Sequence, residues 1–200
     1  MKILNAVLQH LQIASVGVLI AVVVGMAIGI FLTRHRSVAN FTMSVTDIIQ
    51  TIPDLALLTL LMMVFGLGNT TVITALFLYS LLPIIRNTYV GILSVDRGLL
   101  EAGTGMGMTK FQLLFKVELP LALPVILSGI RIAFITALGI ATIGVLIGAG
   151  GLGAFVWRGI QMRDAGMILS GALPISILAV GSDFLLMFAE RRLVKKAKAA

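Results

Sequence analysis

One stretch of this chain combines residue types that suit contact with a partner surface. It reads Glu101-Ala102-Gly103-Thr104-Gly105-Met106-Gly107, then nine residues, then Val117-Glu118-Leu119-Pro120. The small side chains of Ala102 and Gly103 let a backbone come close to a partner. Glu101 is expected near a helix N-terminus, where the helix dipole favours negative charge. Gly107 gives the chain freedom to turn, and Pro120 can open the next helix, where a missing N–H is no loss. The bland alternative is an amphipathic loop that glycine and proline merely punctuate. A second set of residues is charged within apolar surroundings: Asp54, Arg86, Arg131 and Asp183. Catalytic chemistry has little to work with. There is no Cys, His10 and His35 lie far apart, and no Ser–Lys or Asp–Asp pair sits at helical spacing in an apolar run. Nothing matches the phosphate-binding pattern G-x-x-x-x-G-K-[ST]. No metal site is expected.

The elements that must position these residues are set by hydropathy. Of 200 residues 59% are hydrophobic and 12% charged, about half the roughly 25% charge of a soluble domain. Mean hydropathy is +1.12. One core cannot hide that much apolar surface from water, so soluble and disordered readings fail. The expectation is an all-α integral membrane chain with five spans. They cover about 11–33, 38–65, 70–90, 120–147 and 167–190, within one domain over 1–200. Residues 13–32 form 20 positions without a charge, enough to cross a bilayer and long for a cleaved leader. Gly17, Ala21, Gly25 and Gly29 fall on one face of that helix and suit close helix packing. Pro53 is expected to kink span two. The polar stretch 94–119 is read as a loop with amphipathic helical potential. Residues 154–165, holding Trp157, read as an interfacial segment.

Charge then assigns sides. With the N-terminus outside, ten basic residues share one face: Arg34, Arg36, Arg97, Lys110, Lys116, Arg191, Arg192, Lys195, Lys196 and Lys198. Three, Lys2, Arg158 and Arg163, share the other. Basic residues concentrate on the cytoplasmic side of membrane proteins. The net charge of +7 therefore reports orientation, with loop 94–119 and the C-terminus cytoplasmic, rather than a nucleic-acid ligand. Asp54 lies about 12 residues from the outer end of its span, about 18 Å deep, where an acid must be paired or face water. Two readings stay open: a structural pair with Arg131 or Arg86, or a place on a polar path that attracts a cation. Arg86 near a helix end can snorkel. Asp183, seven residues before Glu190, reads as a packing residue.

The segment Glu101–Pro120 resembles the EAA loop of ABC-importer permeases, E-A-A-x-x-x-G, nine residues, then I-x-L-P. Glu101, Ala102, Gly107, Leu119 and Pro120 match; Gly103 stands for the second Ala and Val117 for Ile. Further strings, Gln50-Thr51-Ile52-Pro53, Leu81 to Tyr89, Gly129-Ile130-Arg131 and Gly148-Ala149-Gly150-Gly151-Leu152-Gly153, resemble the permeases of bacterial osmoprotectant importers. Methionine-type permeases share the core and are the nearest confusion. The resemblance implies a five-transmembrane-helix type I importer permease core in the bacterial plasma membrane, amid lipid. It implies a coupling helix formed by Glu101, Ala102, Gly103, Gly107, Leu119 and Pro120. It implies two cytoplasmic ATPase subunits that bind ATP and Mg, a second permease chain and an extracytoplasmic solute receptor, with no cofactor and no enzyme activity in this chain. The solute would be glycine betaine, carnitine, choline or similar. A permease for another small solute, such as an amino acid, and a membrane scaffold are the weaker alternatives. Asp54 departs from the Ser that related permeases carry there. Asp54, Pro53, Arg131, Gly148, Gly150 and Gly151 are the candidates for a path or gate, the glycines equally for a plain loop. Tyr79, Tyr89 and Trp157 are too scattered for an aromatic cage, which belongs in the receptor.

Overall fold

In the computed structural model, the structure describes residues 2–197, with side chains from residue 3 to residue 193. The charges assigned above to Lys2, Lys195, Lys196 and Lys198 lie outside the described side chains. Among the described residues nine α-helices follow one another: α1 Lys2–Arg34, α2 Arg36–Thr51, α3 Asp54–Phe65, α4 Asn69–Leu93, α5 Arg97–Gly105, α6 Lys110–Leu113, α7 Leu119–Ile143, α8 Gly153–Met162 and α9 Ala165–Ala197. Four helical stretches among the described residues are long and apolar enough to cross a membrane: α1, α4, the run Lys110–Ile147 that contains α7, and α9.

The expected second span is not one rod. Helices α2 and α3 meet at 98° across Ile52 and Pro53, far more than the expected kink. The residue before a proline is pushed out of the helical region by the pyrrolidine ring, and Ile52 is extended at φ −68°, ψ 126°. The bend is fastened to α4: Gln50 Nε2 donates to the Tyr79 carbonyl at 2.9 Å, and the Tyr79 hydroxyl donates to the Ile52 carbonyl.

The first three spanning helices pack through small residues. A Cβ added at Gly17, Gly25 or Gly29 would lie 2.8 Å from Leu76 Cβ, 2.9 Å from Ile84 Cγ2 or 2.6 Å from Thr88 Cβ. The stripe on α1 therefore lets α4 approach closely, as a small-residue interface does in lipid. Gly129 does the same for α7 against α4, where Pro83 and Asn87 leave no room for a side chain. Leu76, Ile84, Ile85 and Leu138 fill the resulting core. Helix α9 lies on α7 and α8 and turns Leu169, Leu173, Ile177, Val180, Phe184 and Phe188 outward. An apolar stripe of that width on an outer helix is the surface a membrane solvates.

The helix leading into the fourth expected span starts earlier than Pro120. Helix α6 opens at Thr109, whose side chain and Gln112 form a reciprocal cap. It continues through a widened turn, Leu114–Glu118, into α7. Leu119 N–H reaches back five residues to the Leu114 carbonyl. Pro120 has no N–H to give, and a locally widened helix is one way to absorb that loss. Proline here sits in the second position of α7 within a longer helix, and does not begin it.

Candidate functional site

The first half of loop 94–119 folds as the short helix α5, standing off the bundle. Asp96 caps α5: its Oδ1 accepts from Gly98 N at 2.7 Å and Leu99 N at 3.3 Å. The acid at the helix N-terminus is therefore Asp96, and Glu101 sits mid-helix, correcting the sequence expectation. Glu101 and Ala102 are both exposed. Gly103 is buried against the following segment, with a hypothetical Cβ 2.7 Å from Leu113 Cδ1 and 3.3 Å from Met108 Sδ. The Gly that departs from the E-A-A pattern thus faces inward, not toward a partner. Gly107 takes φ +80°, a left-handed conformation that glycine adopts without strain. The loop's free surface is apolar as well as acidic: Met106 is 73% and Phe111 70% exposed, and the Phe111 and Phe115 rings lie 4.4 Å apart, tilted by 39°.

Leu119 and Pro120 are half-buried at the base of this loop. Beside them Glu118, only 2% exposed, forms an ion pair with Arg34 at the end of α1. A buried carboxylate needs such a partner. The pair ties the loop's C-terminal base to the first helix, a link across 84 residues that no local spacing reveals.

The inward face of the bend holds a cavity of about 400 Å³. Gln50 and Asp54 reach it from the bend, Tyr79, Arg86 and Asn87 from α4, and Thr136 from α7, with Leu82, Pro83, Ile132 and Ile140 between them. Pro53 positions Asp54 by ending the bend and starting α3. An acid in a helix's first turn is favourable to the helix.

The structure pairs Asp54 with neither Arg131 nor Arg86. Arg86 Nη2 lies 2.8 Å and 3.1 Å from the two carboxylate oxygens of Asp47 on α2. Arg131 does not line the cavity; it pairs with α9, 3.5 Å from Asp183 and 3.9 Å from Glu190. Asp54 joins no ion pair among the described residues. Asp47, Asn87 and Thr136 received no role from the sequence, because nothing in their spacing marks the three helices as neighbours.

Gly148, Gly150 and Gly151 form a tight turn after α7. Gly148 and Gly151 have φ of +78° and +102°. A Cβ on Gly151 would meet His10 Nδ1 at 3.0 Å, and one on Gly150 would collide with Gln9. His10 is fully buried, with Nε2 3.1 Å from the Leu138 carbonyl. Gly150 N–H donates to Asn69 Oδ1 at 3.2 Å. The turn is thus packed onto the first residues of α1 and α4, at the end of the bundle opposite α5, and away from the Asp54 cavity.

Known proteins are similar to this chain in sequence and in overall fold. The sequence profile of binding-protein-dependent transport system inner membrane components matches residues 17–198. The choline transport system permease protein OpuBD of Bacillus subtilis is 51% identical over 193 residues, 95% of this chain and 85% of that protein. The glycine betaine/carnitine/choline transport system permease protein OpuCD of the same organism is 49% identical, covering 98% and 87%. The carnitine transport permease protein OpuCD of Listeria monocytogenes is 46% identical, covering 92% and 83%. Among solved structures, an inward-facing conformation of the MetNI methionine ABC transporter superposes with a TM-score of 0.82 at 26% identity, over 98% of this chain and 95% of that one.

Proposed function

Because the chain belongs to the family of binding-protein-dependent transport system inner membrane components, we propose that it is the permease subunit of an ATP-driven importer for a quaternary ammonium osmoprotectant. The observation that carries this reading is α5. A short exposed helix presents Glu101 and Ala102 outward, beside apolar Met106 and Phe111, on a stem anchored by the Arg34–Glu118 pair. That is a surface built for a partner groove. Glu101, Ala102, Gly103, Gly107, Leu119 and Pro120 form or position it. Two cytoplasmic ATPase subunits bind these helices and supply ATP and Mg chemistry, so this chain needs no cofactor. A second permease chain completes the path, and an extracytoplasmic receptor delivers the solute. ATP binding draws the coupling helices together and opens the cavity outward; hydrolysis resets it.

The bent pair α2–α3 counts as one crossing, which gives five spans in a single domain. The ten-to-three bias of basic residues supports a cytoplasmic α5 and C-terminus and an external N-terminus in a bacterial plasma membrane. The Gly148–Gly151 turn then lies outside, where its packing on His10 suits a gate or a rigid plug. The solute class follows the relatives named for choline, carnitine and glycine betaine. The fold likeness to a methionine transporter, at 26% identity, favours an amino-acid solute less.

Two measurements test this. Glu101→Lys, reconstituted with receptor and ATPase, is expected to insert normally and to lose solute uptake while ATP hydrolysis continues; normal uptake refutes the docking role. Binding of betaine, choline, carnitine and methionine to the cognate receptor tests the solute class, and preference for methionine refutes it.

A further inference from the structure

Among the described residues, Asp54 is the one acidic side chain lining this cavity, and no cationic side chain pairs with it. Arg86 lines the same cavity, but two contacts of 2.8 Å and 3.1 Å commit it to Asp47. Arg131 is held by two carboxylates of α9. Two of the neutral donors around Asp54 are engaged with backbone carbonyls, and the Tyr79 hydroxyl lies within reach of both the Ile52 carbonyl and Asp54. Gln50 gives an N–H to the Tyr79 carbonyl, and Asn87 gives one to the Pro83 carbonyl at 2.7 Å. Asp47, Arg86 and Asp54 together leave this wall with one net negative charge.

Resting on the importer reading above, we propose that the Asp54 cavity is a transit site for the quaternary ammonium head of the solute, and that it favours a net cation over a zwitterion. The chemistry selects this class. A metal ion would need several oxygen ligands, and only one carboxylate is present. A primary ammonium needs several acceptors for its N–H groups, whereas a quaternary one has none to satisfy. It needs a negative charge, an aromatic face and apolar walls. Asp54, Tyr79 and the side chains of Leu82, Pro83 and Ile132 provide these. About 400 Å³ falls at the lower end of the roughly 300–1,000 Å³ of small-molecule sites. A cation such as choline neutralises the wall. A zwitterion such as glycine betaine brings its own carboxylate into the same negative surroundings, with Arg86 already engaged.

The test uses the complete importer in proteoliposomes, with receptor and solute saturating. Turnover of choline and of glycine betaine is measured for the wild type, Asp54→Asn and Asp54→Glu. Asp54→Asn is expected to lower choline turnover about tenfold more than glycine betaine turnover, a factor of roughly 1.4 kcal/mol. Asp54→Glu is expected to restore the preference. Equal losses for both solutes, or no loss, overturn the site. Failure of Asp54→Asn to assemble also overturns it, since Asp54 then pairs with the second permease chain. A wild-type importer that moves neither solute overturns the importer reading and the site with it; a site failure alone leaves wild-type uptake intact.

Discussion

Gly129→Ala isolates how closely the cavity walls are packed. Gly129 on α7 faces Pro83 and Asn87 of α4, two of the residues that line the cavity. An added Cβ would lie 2.6 Å from both the Pro83 carbonyl oxygen and Asn87 Cβ. Ordinary van der Waals contact begins at 3.4 Å, so α7 must retreat by 0.8 Å, the difference between 3.4 and 2.6. One of the obstructing atoms is backbone and cannot rotate away. Overpacking of this kind destabilises by about 1–3 kcal/mol. Alanine also gains about 1 kcal/mol over glycine in a helix interior, which masks part of the loss. Gly181→Ala on α9 is the matched control, because no heavy atom of the described residues lies within 4 Å of its added Cβ. Reversible unfolding of both variants in bilayers or mild detergent reads the steric term as their difference. Gly181→Ala should equal or exceed the wild type, and Gly129→Ala should fall about 1–3 kcal/mol below Gly181→Ala. Equal stability of the two variants refutes close α4–α7 packing at the cavity.

Two further outcomes are expected. A double-mutant cycle of Arg131→Ala and Asp183→Ala should give a favourable coupling of about 0.5–3 kcal/mol in unfolding measurements; additivity would show that the α7–α9 pair contributes nothing. Glu118→Gln keeps the side chain's shape but strips the charge from Arg34's buried partner. It should lower stability by about 1–3 kcal/mol, and Arg34→Gln should remove most of that difference, since the two charges act as one unit; a full effect of Glu118→Gln in the Arg34→Gln background would contradict the pair.

Much of this was legible in the sequence because lipid imposes simple rules. A run of 20 uncharged residues can do little except cross a membrane, so the apolar helices were readable from hydropathy. The small residues Gly17, Ala21, Gly25 and Gly29 were recognisable as a packing face because their four-residue spacing is local. Gly107 and Pro53 were recognisable as breaks because backbone restriction acts on neighbouring residues. Other features depended on distance. The size of the bend at Pro53 is held by Gln50 and Tyr79, 29 residues apart, and proline alone does not specify 98°. The helical start at Thr109 and the widened turn before Pro120 were hidden by the charges of loop 94–119, which made a helix reaching into a span look like a polar connection.

The sequence by itself determined that the chain is helical and rich in membrane-length apolar runs, because composition and periodicity carry those properties, and the Glu101 to Pro120 pattern carried the resemblance from which a docking role is proposed. Only the tertiary structure decided which charges meet. Arg86 finds Asp47, Arg131 finds Asp183 and Glu190, and Arg34 finds Glu118, pairings 39, 52, 59 and 84 residues apart by their numbers. Packing angles between helices set them, and a linear spacing holds no record of those angles. By engaging Arg86 and Arg131 elsewhere, that same packing leaves Asp54 lining the cavity without an ion pair among the described residues.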